Sequence, residues 1–96
     1  PAHFSKCVFR MFDTDQPEEV QLLCHVSTMK HIIDHFGTDV KTESIDEERF
    51  RSNILVCTSS TFYRWIFGFN GKIKILGPES VKTAYQEMLR KALEEL

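Results

Sequence analysis

Residues 49–76 read RFRSNILVCTSSTFYRWIFGFNGKIKIL. The opening run alternates, with Phe50, Ile54 and Val56 facing one way and Arg49, Arg51, Asn53, Leu55 and Cys57 the other. Such a period of two predicts a strand over 49–58. Ser59 or Ser60 then offers a side-chain oxygen to the first free N–H groups of a helix. The apolar residues of that helix, Phe62, Trp65, Ile66 and Phe69, recur at helical spacing, and Asn70-Gly71 ends it. Lys72 to Leu76 alternates again, with Ile73 and Ile75 inward. Strand, helix and strand follow one another as a complete β-α-β half.

The residues before it repeat this order. Val20, Leu22, Cys24 and Val26 alternate against Gln21, Leu23 and His25, which predicts a strand. Ser27 or Thr28 can cap a helix that buries Met29, Ile32, Ile33 and Phe36 and stops at Gly37. Asp39 to Ile45 reads as a weaker strand, and Asp46-Glu47-Glu48 as a charged turn. After Gly77, Pro78 suits the first helical position. The terminal helix then carries Val81, Ala84, Tyr85, Met88, Leu89, Ala92, Leu93 and Leu96 as an unbroken apolar stripe. At the other end, Phe4, Val8, Met11 and Phe12 suggest a short helix within 3–12, and Asp13 to Pro17 a polar turn. The expected fold is α+β: a ferredoxin-like βαββαβ sheet with a short N-terminal helix and an additional C-terminal helix. Residues 1–17 are expected to be a short helix and connection from an upstream domain, and 18–96 the domain proper.

Composition agrees with one folded unit. The chain has 96 residues, is 42% hydrophobic with 8 Phe, and carries 12 Lys+Arg against 14 Asp+Glu for a net charge of −2. A chain of this size hides roughly 65% of the surface its unfolded form exposes, enough for one core. The charge balance excludes the strongly basic profile of a free-standing nucleic-acid binder. No stretch approaches the ~18 consecutive apolar residues of a membrane span, so no membrane partner is expected. Cys7, Cys24 and Cys57 are an odd, widely spaced set without a C-x-x-C pair. They read as reduced, partly buried thiols of a cytoplasmic protein rather than a disulfide framework or zinc site. A chain that opens at Pro1 within a structured pattern is the expectation for part of a longer protein.

A sheet with both crossover helices on one side leaves its other side to bind an anionic ligand or nucleic-acid strand, to pack against another domain or subunit, or to be covered by the N-terminal or C-terminal helix. By alternation that side holds Gln21, Leu23 and His25; Lys41, Glu43 and Ile45; Arg49, Arg51, Asn53, Leu55 and Cys57; and Lys72, Lys74 and Leu76. Basic residues are therefore gathered on one face of a chain that is acidic overall. Lys41, Arg49, Arg51, Lys72 and Lys74 are the expected contact residues for an anionic ligand or a nucleic-acid strand. Arg64, off the apolar stripe of its helix, is the second choice. No aromatic residue falls on the outward strand positions, which argues against base stacking of the RNA-recognition type. Tyr63, Arg64 and Phe67 are left free by the stripe. His31 and His35 stand four apart on one helix, a pair able to hold a transition metal. Ile32, however, stands where a zincin would need Glu, and the apolar stripe puts both histidines on the solvent side. Neither metal nor cofactor is expected, and no nucleophile-base pair or phosphate loop asks for an enzyme.

The run Phe62-Tyr63-Arg64-Trp65-Ile66-Phe67-Gly68-Phe69, then Lys72-Ile73-Lys74-Ile75-Leu76-Gly77-Pro78-Glu79 and a long amphipathic helix, resembles the C-terminal extension of WYL-domain transcriptional regulators. Val20-Gln21-Leu22-Leu23-Cys24, Ile32-Ile33-Asp34-His35-Phe36-Gly37 and the junction Phe9-Arg10-Met11-Phe12 are similar to the same family. The resemblance implies a bacterial, cytoplasmic, non-catalytic regulator built from a DNA-binding helix-turn-helix, a WYL barrel and this extension. It implies a homodimer, DNA contact through the upstream domains, and a small-molecule or single-stranded nucleic-acid effector. These residues contain neither a Trp-Tyr-Leu tripeptide nor a helix-turn-helix, so the family's ligand residues map onto no position here. A stand-alone small-molecule sensor of ferredoxin-like fold and a pure dimerisation module are the alternatives.

Overall fold

In a computed structural model that describes residues 8–12 and 15–96, the strands β1 (Pro17–His25), β2 (Lys41–Ser44), β3 (Arg49–Cys57) and β4 (Ile73–Gly77) form one sheet. Its order is β2-β3-β1-β4 and every neighbouring pair is antiparallel. The helices are α1 (Met29–Phe36), α2 (Ser60–Phe67) and α3 (Glu79–Glu94).

β1 and β3 pair along their whole length, from Pro17 opposite Cys57 to His25 opposite Arg49. The even-numbered residues of the two strands share one face, so Val20, Leu22 and Cys24 meet Phe50, Ser52, Ile54 and Val56. Ile73 and Ile75 extend that face on β4. Ile32 of α1, Phe62 and Ile66 of α2, and Val81 of α3 close the core over it. Both crossover helices thus lie on one side of the sheet, as the alternation required.

Local chemistry sets the ends of these elements. Ser59 resolves the choice of cap for α2: its hydroxyl accepts the Phe62 N–H at 3.3 Å. Neither Ser27 nor Thr28 caps α1. Instead the His25 imidazole accepts the Ser27 N–H at 3.1 Å, and a 3₁₀ turn over Val26–Thr28 leads into the helix. Thr28 turns inward, where its hydroxyl donates to the His25 carbonyl at 2.7 Å. α1 stops at Gly37, whose φ of 96° suits glycine and whose missing Cβ would sit 2.9 Å from the Asp39 carboxylate. Pro78 is the extended residue before α3 rather than its first helical residue.

Three further elements depart from the sequence reading. Residues 8–12 are not helical: Val8 bridges in parallel to Val56, and Phe9 has a φ of 67°. The remainder of the expected N-terminal helix, residues 3–7, lies outside the described residues, as does part of the Asp13–Pro17 turn. The cause is tertiary. β2 ends its pairing at Asn53, so the far end of β3 has free backbone groups, and the Val8 carbonyl accepts the Cys57 N–H at 3.0 Å. Cys57, at that end of β3, is buried rather than outward. It is also disulfide-bonded, unlike the reduced thiol expected from cysteine spacing. Finally, the stripe of α3 is only partly used. Val81 is buried and Tyr85, Met88 and Leu89 are half-buried, whereas Leu93 and Leu96 are 68% and 99% exposed.

Phe62 is the largest of the fully buried side chains. Phe62→Ala is expected to destabilise the fold by about 3–5 kcal/mol, the usual cost of emptying such a site. The midpoint of a urea transition monitored by circular dichroism measures this, and a shift below about 1 kcal/mol contradicts the core described here.

Candidate functional site

The strand register assembles the open face of the sheet row by row. Glu19 stands opposite Leu55. In the next row Gln21 pairs with Asn53, and Asn53 with Lys41. Arg51 follows, between Glu43 on one side and Leu23 on the other, with Lys74 beyond Leu23. The last row sets Arg49 opposite His25, whose N–H donates to the Lys72 carbonyl at 2.8 Å. The face therefore grades from an acidic and apolar end to a basic one. Lys41, Arg49, Arg51, Lys72 and Lys74 are all exposed on it, as the alternation predicts. Among the described residues no helix covers it, and Leu55 and Leu76 are 46% and 38% exposed there.

The five cations are not equivalent. Asp46 grips Arg49 through two side-chain bonds, Nε at 3.1 Å and Nη2 at 2.9 Å. Its other oxygen accepts the backbone N–H groups of Glu48 and Arg49, each at 2.8 Å. The Glu48 N–H and then the Arg49 guanidinium hold the Asp46 carboxyl below the usual carboxylate range. Arg51 meets Glu43 at 3.4 Å. Both pairs are exposed and add little to stability, but they neutralise the arginines locally. Lys41, Lys72 and Lys74 form no ion pair among the described residues. Uncompensated positive charge is thus carried by lysines near the two edges of the sheet. Lys72 and Lys74, with Leu23, His25 and Arg49, line a shallow depression of about 220 Å³ at the basic end.

Two carboxylates escaped the sequence reading. Glu19 is on this face because β1 begins at Pro17, ahead of its apolar alternation. Asp46 belongs to a turn, and only the folded hairpin shows that it reaches back to Arg49.

The other candidates lie elsewhere. Arg64 is exposed on α2, on the opposite side of the sheet, and donates to the Thr61 hydroxyl at 3.3 Å. Tyr63 is buried rather than free, stacked on Tyr85 of α3 with ring centroids 5.6 Å apart. This ring contact joins α2 to α3, whose main packing partner is β4. Phe67 is 62% exposed, as its place off the stripe predicts. His31 packs edge-on against Phe69, and His35 stacks on Phe9. Among the described residues no group of three or more His, Cys, Asp or Glu is placed to hold a metal. Cys24 is a free thiol inside the core, and burial pushes its pKa up to about 12 against the opposing Thr28 hydrogen bond. It is therefore neither a nucleophile nor a ligand at neutral pH.

A family model described as the WCX domain matches residues 16–93. That domain is the C-terminal extension of WYL-domain regulators, a regulatory-type domain rather than a known catalytic family. No curated protein and no solved structure matches the chain.

The burial of Cys24 has a direct chemical readout. At pH 8 the native protein is expected to leave Cys24 unmodified by a maleimide, with peptide mapping by mass spectrometry as the measurement. In denaturing urea it is expected to react fully. Rapid native labelling at Cys24 contradicts its placement in the core.

Proposed function

The chain belongs to the WCX domain family, and from that membership we propose that it serves a WYL-type transcriptional regulator as its effector-sensing and self-associating domain. Its architecture is read as ferredoxin-like. The all-antiparallel order β2-β3-β1-β4 and the two crossover helices on one face support that reading. The regulator acts in the cytoplasm on DNA bound by its other domains. Among the described residues no helix is long and apolar enough to cross a membrane.

Sensing is assigned to the open sheet face. The observation that carries this is Lys72 and Lys74, exposed, without an ion pair, and flanking the depression beside His25 and Arg49. Phosphates of a single-stranded nucleic acid fit these cations, while exposed Leu55 and Leu76 offer apolar contact to sugars and bases. Without an aromatic platform on the strands, binding depends on charge and is sensitive to salt. The contact regulates DNA binding only if it differs between the competent and incompetent states, since equal contacts shift no equilibrium.

Self-association is assigned to the flank of α3 and the outer edge of β4. The bond from the His25 N–H to the Lys72 carbonyl sets the phase of the β4 ladder and turns the backbone groups of Ile73 and Ile75 outward. Beside that edge an apolar groove of about 390 Å³ runs past Phe67, Tyr85 and Leu89. A second copy covers this surface and the exposed Leu93 together.

In the intact regulator, Lys72→Glu with Lys74→Glu is expected to weaken single-stranded oligonucleotide binding. It is also expected to flatten the log-log salt slope by about 1.4, at ~0.7 per lost phosphate contact. Asp46→Asn keeps an acceptor for the turn but releases Arg49, and is expected to tighten binding by up to about fivefold. Affinity and slope left unchanged by the lysine substitutions would remove the sheet face from consideration. Separately, Leu89→Glu is expected to shift the sedimentation coefficient from dimer to monomer. A wild-type protein that sediments as a monomer at about 100 μM, far above the Kd of a stable dimer, refutes the α3 interface.

A further inference from the structure

The open face carries its uncompensated positive charge mainly at one end. Along β1 that face runs from His25 through Leu23 and Gln21 to Glu19, and along β4 from Lys72 and Lys74 to Leu76. On β3, Arg49 is followed by Arg51, which Glu43 holds. A polyanion laid along these strands would meet cations under its first phosphates, then uncharged residues, then the Glu19 carboxylate. Such a gradient suits a compact group whose charge is concentrated at one point.

The depression at the basic end is built from donors. Lys72 and Lys74 stand two positions apart, roughly 6.6 Å along the chain, close enough for both ammonium groups to meet on one anion. Neither forms an ion pair among the described residues. His25 adds a fixed donor: its Nδ1 accepts the Ser27 N–H at 3.1 Å, so the neutral ring carries its proton on Nε2. Asp46 takes Nε and Nη2 of Arg49 and leaves Nη1 without a hydrogen bond among the described residues. At the rim, the N–H groups of Asn70 and Lys72 donate to the carbonyls of Phe67 and Phe69. That of Gly71, between them, donates to nothing among the described residues. No Asp or Glu of the described residues lines the depression, and its volume of about 220 Å³ suits one small group rather than a run of nucleotides.

We propose that this depression is a binding site for a phosphate monoester. The proposal rests on the sensing role given above to the sheet face and narrows it: the feature recognised is a terminal phosphate, not the repeating backbone. A monoester carries about −1.5 to −2 charges at pH 7 on three acceptor oxygens. A phosphate within a strand carries a single charge and is esterified on both sides. The monoester thus matches two uncompensated ammonium groups, with lone pairs left for Nε2 of His25, Nη1 of Arg49 and the Gly71 N–H.

The test uses the 96-residue chain at fixed ionic strength. Fluorescence anisotropy compares decathymidylates labelled on a central base and ending in a 5′-phosphate, a 3′-phosphate or hydroxyls only. Thymidine 5′-monophosphate, followed by its phosphorus resonance, represents a free phosphorylated small molecule. A terminal phosphate is expected to tighten strand binding roughly tenfold, the scale of one charge-assisted hydrogen bond. Lys72→Gln with Lys74→Gln is expected to remove that difference. Such a preference supports the site and identifies a strand end as the ligand's source. Lysine-dependent binding of the monophosphate without it supports the site and identifies a free small molecule instead. Equal affinity for the three strands, with no binding of the monophosphate, overturns the proposal. If the lysine substitutions then still weaken all three strands, the sheet face keeps its sensing role. A phosphate preference that survives the lysine substitutions also overturns the proposal, because the phosphate is then read elsewhere. Binding of none of the probes overturns the proposal and the sensing role together.

Discussion

Everything in this domain depends on the pairing of β1 with β3. A single residue of slippage between them would turn Val20, Leu22 and Cys24 to solvent and bring Gln21, Leu23 and His25 under the helices. The hydrophobic effect therefore fixes the register, and the register fixes the open face. Arg51 lies between Glu43 and Leu23, and Arg49 beside His25, only because Phe50, Ser52 and Ile54 are held inward. The basic end of the sheet is a by-product of core packing that function can then use. Ser52 shows how firmly this holds: a hydroxyl is fully buried to keep the phase, and it donates to the Lys41 carbonyl at 3.3 Å.

Much of this was legible in the residues. The period of two in 49–58 and the period of 3.6 in 62–69 each encode a burial demand, and burial is what the sheet and helices satisfy. The strands, crossover helices and open-face lysines follow from it. What was not legible depended on partners distant in sequence. The spacing of Val8, Met11 and Phe12 suits a helix, yet the unpaired end of β3 claims that segment instead. Tyr63 reads as free on its own helix but is covered by Tyr85, twenty-two positions later by number. The apolar stripe of α3 implies burial over its whole length, while the core takes up only its first turns.

Charge was the least legible property. Counting Lys and Arg along strands finds the basic face but not its compensation. Glu43 and Asp46 take up much of the field of Arg51 and Arg49, leaving lysines as the free cations. The difference matters chemically. A guanidinium already forked by a carboxylate must break that pair to bind phosphate, whereas a solvated ammonium has only water to exchange.

The unequal length of β2 and β3 has a further consequence, for the solubility of the domain. An exposed strand edge is a template for another chain, and long uncharged edges nucleate aggregates. On one side, the edge strand β2 spans only Lys41–Ser44 and bears Lys41 and Glu43, and Val8 occupies the stretch of β3 that it leaves bare. The other side is β4, whose edge is longer in apolar residues and is flanked by α3. Open-ended stacking needs two receptive edges. With one blunted, sheets joined through β4 can close into a pair but cannot grow into a fibre.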